Sequence, residues 1–383
     1  MSDPMKLVCR LVYFLAISVV VVVHNRSETL SSRAVRDVSS ELEIIRSKHG
    51  LPGIAGVIVV EDQAVLEGAS GVRKFGNESK VTVQDRFHAG SITKSMTATL
   101  AGLLVESGKI KWITTIEDVF GKTGMEIHSA YKSVTLEQLL SHRGGAPHEP
   151  PAELWMAAWR EEGSYETQRL QFVRGLLAKE PTKTPGTEFV YSNQGYAIAG
   201  VMLETVAKMP WETLMREKIF QPLGMKSAAF GVPGVLGEMT EPWGHVFQSG
   251  QWIPKQADNP PAIGPAGTVH ASVGDIARYA AIHLRGDRGL TTPILKPDSW
   301  KKLHQPTTGQ DYALGWVVKE SPWKRGKALW HNGSNTMFYM VVWVVPEDNM
   351  VAVVAVNAAS PAARIGSEEA VTALVGLLKK DRL

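Results

Sequence analysis

Cysteine is nearly absent from this chain: its 383 residues contain one, Cys9. A disulfide framework is therefore excluded, and so is a zinc site built on several thiolates. None of the eleven histidines stands in a His-Glu-x-x-His or similar ligand spacing, so the sequence points to no metal or cofactor. Charge of one sign is not concentrated anywhere. With 41 basic and 38 acidic residues, a net charge of +3 and no long like-charge run, nothing calls for a nucleic-acid partner. Internal repeats and low-complexity segments are missing too. No apolar run reaches the ~20 residues of a comfortable membrane span.

What is present begins with Lys6 and Arg10 ahead of Leu11 to Val23, a stretch apolar except for Ser18 and followed by polar residues from His24. That order is the pattern of an export signal. No A-x-A site follows it, so a cleaved signal peptide and an uncleaved anchor both stay open, and with them a periplasmic, secreted or membrane-anchored location. Cys9 precedes the apolar run, the wrong order for a lipoprotein anchor. Residues 1–30 are accordingly set apart from 31–383, which at 44% hydrophobic and 21% charged overall have the composition of an ordinary globular protein.

Within 31–383, Val35, Val38, Leu42 and Ile45 recur at helical spacing up to His49-Gly50. Gly53 to Val60 and Ala64 to Ala69 are β-branched runs separated by Glu61-Asp62-Gln63, a hairpin pattern. From Ser91 to about Lys208 the signals are mostly helical. Ala313 to Val318, Met337 to Val345 and Met350 to Val356 are expected strands, and Ser367 to Lys380 a closing helix with basic residues at its C-terminal end. The expectation is an α+β fold: an antiparallel sheet from about 35–90 and 290–383, flanked by terminal helices, and a helical lobe over about 91–289, with the site between them.

Ser-x-x-Lys occurs at Ser91, Ser129, Ser299 and Ser321, so context has to choose among them. Ser321 lies in a turn, Ser299 at the start of a surface helix, and Ser129 in a polar connection. Ser91 instead opens a helix in which Ser95 to Val105 carries no charge, as in a helix buried on most sides. Lys94 stands one turn on, on the same face. Burial penalises an ammonium and the positive end of the helix dipole repels it, so its pKa should fall from ~10.4 toward a value useful to a base. The N–H of Ser91 could supply half of an oxyanion hole.

Tyr191-Ser192-Asn193 is the chain's only Tyr-x-Asn and sits at a loop-to-helix corner. Tyr191 is either a packed aromatic or a phenol activated by Lys94, and Asn193 either a helix cap or a ligand. His-x-Gly occurs at His88, His142 and His331; only the last lies among the C-terminal strands, where Gly333 allows close backbone approach and His331 could face a carboxylate.

Phe87-His88-Ala89-Gly90-Ser91-Ile92-Thr93-Lys94, Tyr191-Ser192-Asn193 and His331-Asn332-Gly333, in that order, resemble the class C β-lactamase, DD-peptidase and esterase family of penicillin-recognising serine hydrolases. Val134 to His142, Gly264 to Gly267 and Tyr312 to Trp316 resemble it as well, and the likeness covers about residues 35 to 380. The resemblance implies acylation of Ser91, with Lys94 and Tyr191 as general base or acid and Asn193 as a substrate amide ligand. It also implies an oxyanion hole completed by the N–H of Ser334, after Gly333, and it makes 31–383 the catalytic domain. The substrate class it implies is a D-alanyl-D-alanine-type, peptidoglycan-derived peptide or a β-lactam, with a carboxylic ester as alternative. A non-catalytic penicillin-binding sensor is the alternative from another class. His331 departs from the usual Lys-Thr-Gly and would hold a substrate carboxylate. Glu137 and Glu188 lie near the motifs, but neither is a clear counterpart of a deacylating glutamate.

Overall fold

The computed structural model describes residues 34–160, 162–307 and 309–380; the export-signal pattern around Leu11 to Val23 falls outside them. Val35–Leu383 form one compact unit. Its sheet has seven strands in the spatial order Arg36–Asp37, Gln63–Gly71, Gly53–Val60, Met350–Val356, Tyr339–Val345, Lys327–Ser334 and Val317–Glu320. All neighbours are antiparallel except Arg36–Asp37, a two-residue strand that runs parallel to Gln63–Gly71. The N-terminal hairpin thus joins the C-terminal strands, with Ala55 opposite Ala355 and Ile54 opposite Val356. Its tight turn places Glu61 and Asp62 both at positive φ, the conformation that suits the twist of a two-residue hairpin.

Tyr339–Val345 and Met350–Val356 are buried along their whole length, which is why they are apolar runs and do not alternate. One face packs against Ser39–Lys48 and Pro361–Lys380 through Leu42, Ile45, Val371 and Leu374. The other packs against the helix Val273–Asp287 through Ile276, Ala280 and Leu284. Ser272 caps that helix by accepting the N–H of Asp275 at 3.2 Å. Among the described residues no helix is long and apolar enough to cross a membrane.

Two expected elements differ from the structure, and one strand is not among those expected. The strand Lys327–Ser334, which carries His331, is not legible as one because Trp330-His331-Asn332-Gly333 breaks any alternation; pairing on both sides forms it. The expected strand Ala313 to Val318 starts only at Val317. Before it, Gly315 at φ +82 presses so closely on the helix Thr93–Glu106 that a Cβ would stand 2.5 Å from Ser95 Cα. The last helix begins at Pro361, six residues earlier than expected, where proline is pre-organised for a first turn.

Beneath the helical region Arg169 is wholly buried and donates to Glu204 at 2.7 Å, to Glu212 at 2.9 Å and to the Pro261 carbonyl at 2.9 Å. It ties the helix Tyr165–Leu177 to Asn193–Ala207 and Trp211–Met215. Removing the cation leaves two buried carboxylates facing each other, so Arg169→Met should lower unfolding stability by about 3–5 kcal/mol. Chemical denaturation measures this, and a loss under about 1 kcal/mol would show that the triad is not coupled as described.

Candidate active site

The strand Phe87–His88 pairs with Val269–Ala271, and the chain then turns at Gly90, φ +51, into a short 3-10 turn and the helix Thr93–Glu106. Thr93 to Gly102 of this helix are all buried, as its lack of charge requires. Ser91 is partly exposed at its start, whereas Lys94 is fully buried. Lys94 Nζ lies 3.0 Å from Ser91 Oγ, 2.7 Å from Asn193 Oδ1 and 2.9 Å from the Ala266 carbonyl oxygen. The last two can only accept. A neutral amine gives its two hydrogens to them, and its lone pair is left facing the Ser91 hydroxyl. Burial holds the Lys94 pKa well below the ordinary lysine range, so the amine is suited to take the hydroxyl proton.

Asn193 starts the helix Asn193–Ala207, capped by Ser192, whose hydroxyl accepts the Gly195 N–H at 3.1 Å and donates to the Pro147 carbonyl at 2.6 Å. Asn193 is thus both a helix-start residue and a Lys94 partner. The Tyr191 ring centroid is 4.8 Å from Lys94 Nζ. Burial raises the Tyr191 pKa to about 12, partly offset by a hydrogen bond with Ser91, so it rests as a phenol able to donate.

Gly90 and Gly333 bring two backbones into direct contact. A Cβ on Gly333 would stand 1.9 Å from the Ala89 carbonyl oxygen and 2.7 Å from Ser91 N, and one on Gly90 would stand 2.2 Å from Ser334 N. Any side chain at either position would wedge them apart. The close approach puts the backbone nitrogens of Ser91 and Ser334 on two segments in direct contact, and an oxyanion hole built from their N–H groups would need such closeness.

His331 does not have the surroundings expected of an anion ligand. It is buried, with Nδ1 2.6 Å from the Asn332 carbonyl oxygen and Nε2 3.5 Å from Tyr312 Oη. The carbonyl can only accept, so the ring proton sits on Nδ1. Burial is the largest influence and pushes its pKa down to about 4. In its neutral form the imidazole offers no cation to a carboxylate.

His142, passed over as one of three His-x-Gly matches, is in the site. It is buried at φ +59, its ring 4.4 Å from that of Tyr191 and 4.8 Å from that of Tyr312. Its Nδ1 accepts the Ser192 N–H at 3.0 Å, which sets the corner carrying Tyr191 and Asn193. The other sequence candidates are elsewhere: Ser299 donates to Glu106 at 2.6 Å, Glu137 pairs with Lys302 at 2.6 Å, and Glu188 pairs with Lys183 at 3.1 Å. Among the described residues no group of three or more His, Cys, Asp or Glu is placed to hold a metal ion.

A sequence profile described as Beta-lactamase matches residues 22–376. Penicillin-binding protein 4 of Amycolatopsis lactamdurans is 27% identical over 339 residues, covering 82% of this chain and 83% of its own. An unguisins hydrolase of Aspergillus campestris is 26% identical, covering 84% of this chain and 61% of its own. Among solved structures, the octameric penicillin-binding protein homologue from Pyrococcus abyssi superposes with a TM-score of 0.72 at 23% identity over 88% of this chain and 76% of its own. A D-stereospecific amidohydrolase from Streptomyces does so with 0.67 at 20% identity over 83% and 93%.

A neutral buried lysine carries a sign that can be checked. The unfolded chain binds a proton at Lys94 that the folded chain does not, so wild-type stability should rise with pH up to about 10.4, by up to about 1.4 kcal/mol per unit, relative to Lys94→Met. Paired denaturation curves from about pH 7 to 10 test this, and parallel curves would mean that Lys94 is charged in the fold.

Proposed function

The chain belongs to the beta-lactamase family, and from that premise we propose that it is a serine hydrolase forming an acyl-enzyme at Ser91. The observation that carries this is the buried amine of Lys94, with two acceptor-only partners and Ser91 Oγ at 3.0 Å. In this reading Lys94 takes the Ser91 proton as Oγ attacks the substrate carbonyl. The N–H groups of Ser91 and Ser334 hold the resulting oxyanion. The C–N bond then breaks as Tyr191 passes its proton to the leaving nitrogen and recovers one from the protonated Lys94, while Asn193 meets the substrate amide. Water then attacks the acyl carbonyl as it gives a proton to the Lys94 amine, and that proton goes to Ser91 Oγ as the C–O bond breaks, which releases the acid and restores the serine and the amine.

The substrate class we propose is a D-alanyl-D-alanine-type peptide or a related amide of a D-amino acid, with β-lactams as acylating analogues. The relatives named penicillin-binding protein and unguisins hydrolase, and the fold neighbour titled a D-stereospecific amidohydrolase, support an amide substrate. A carboxylic ester needs less leaving-group protonation and is the second reading. The basic start and apolar run at Leu11 to Val23 support export, with the chain periplasmic, secreted or held at the membrane by that segment.

Ser91→Ala should lose covalent labelling by a fluorescent penicillin while its melting temperature stays near that of wild type; stoichiometric labelling of the variant would remove Ser91 as nucleophile. Parallel turnover of a chromogenic cephalosporin, a D-Ala-D-Ala peptide and a short-chain aryl ester would then rank the substrates.

A second measurement concerns the neutral His331. For a matched carboxylate and methyl-ester substrate pair, the ratio of KM values should be flat from about pH 5.5 to 8, since the imidazole does not titrate there. A carboxylate advantage that fades as pH rises through about 6.5 would restore His331 as an anion contact.

A further inference from the structure

All three His-x-Gly triplets of the chain reach the site, and the remaining one is that of His88. It is completely buried, and its Nδ1 accepts the backbone N–H of Gly90 at 3.0 Å. An imidazole that accepts at Nδ1 in its neutral form carries its proton on Nε2. That atom lies 2.5 Å from Asp258 Oδ1, a close polar contact off the line of a hydrogen bond, and Nε2 and Asp258 Oδ2 have no hydrogen-bond partner among the described residues. Asp258 is buried as well, its side chain 7% exposed, and the same Oδ1 accepts the Asn259 N–H at 2.6 Å. Asn259 in turn donates to the Gly267 carbonyl at 2.7 Å, one residue beyond the Ala266 carbonyl that accepts from Lys94.

Gly90 directly precedes the nucleophile, in the left-handed region and with no side chain to confine it. A glycine in a turn has the widest choice of backbone conformations. A fixed acceptor for its N–H holds the Ala89–Gly90 peptide plane, which limits the φ of Gly90 and through it the Gly90–Ser91 peptide that carries the Ser91 N–H. We propose that His88 and Asp258 are positioning residues for acylation: His88 anchors the Gly90 N–H, Asp258 holds the ring, and the pair aims the Ser91 half of the oxyanion hole. This rests on Ser91 being the acylated residue.

A pair that merely stabilised the fold would lower the melting temperature without separating ground-state from transition-state binding. Three variants divide the cases. His88→Asn keeps an acceptor at the Nδ1 position, His88→Leu removes it, and Asp258→Asn keeps the shape and removes the charge. Each is measured for acylation rate constant, non-covalent Kd of a penicillin, affinity for an arylboronic acid that forms a tetrahedral adduct, and melting temperature. His88→Leu should slow acylation about 100-fold and weaken the boronate in parallel, with the non-covalent Kd within about threefold of wild type. His88→Asn should recover at least about tenfold of that loss, and Asp258→Asn should lose about tenfold.

Acylation by His88→Leu within about threefold of wild type overturns the inference, and so does a loss shared equally by the Asn and Leu variants that follows melting temperature. Should His88→Leu fail to fold, rates within about threefold of wild type for both His88→Asn and Asp258→Asn overturn it. A wild type that penicillin, peptide and ester all fail to acylate sinks the Ser91 reading and this inference together. A reactive wild type with unaffected variants sinks this inference alone.

Discussion

A lysine amine taken wholly out of water is the constraint on which the rest of this site depends. Desolvating Lys94 disfavours its charged form, and the uncharged amine is stable there only if its hydrogens are accepted. Two acceptors from distant parts of the chain do this, Asn193 Oδ1 and the Ala266 carbonyl. Each needs its own support. Asn193 is held by the Ser192 cap and the His142 ring behind it. Ala266 lies in the Gly264–Gly267 turn, against which the helix Thr93–Glu106 also binds, Thr97 donating to the Pro265 carbonyl at 2.7 Å. The absence of charge from Ser95 to Val105 is the same requirement in sequence form: a helix enclosed on most sides cannot carry other ions into the core.

The second constraint is contact between bare backbones. The Lys327–Ser334 strand crosses the turn before Ser91 so closely that neither Gly90 nor Gly333 has room for a Cβ. Gly315 repeats this against Ser95 on the next segment. The turn that carries Ser91 is therefore clamped from the sheet side by main chain, which has few conformations to lose, and not by flexible side chains. That is a suitable frame for oxyanion donors, whose value lies in being aimed before the charge develops.

The histidines of the site share an environment in which a ring is more useful as a fixed donor or acceptor than as a charge. Burial lowers the pKa of both His142 and His331. His142 accepts the Ser192 N–H, and His331 donates to the Asn332 carbonyl. The expectation of an anion-binding imidazole came from treating His331 as a substitute for a cationic residue in a motif. Its burial makes a charge there costly.

The sequence by itself determined which serine and lysine belong together. A charge-free helix with one lysine in its first turn is a local feature, and local features survive in one dimension. It likewise determined the hairpin Gly53–Gly71 and the strand Met350–Val356, whose apolar runs are strong enough to need no partner to be recognised. Only the tertiary structure decided that His88, His142 and His331 all reach one site, that Lys327–Ser334 is a strand, and that Ala266 and Asn193 share an amine. Those facts depend on burial and pairing between segments far apart in the chain. A histidine's protonation and a glycine's necessity are properties of what surrounds them, and the surroundings exist only once the chain has folded.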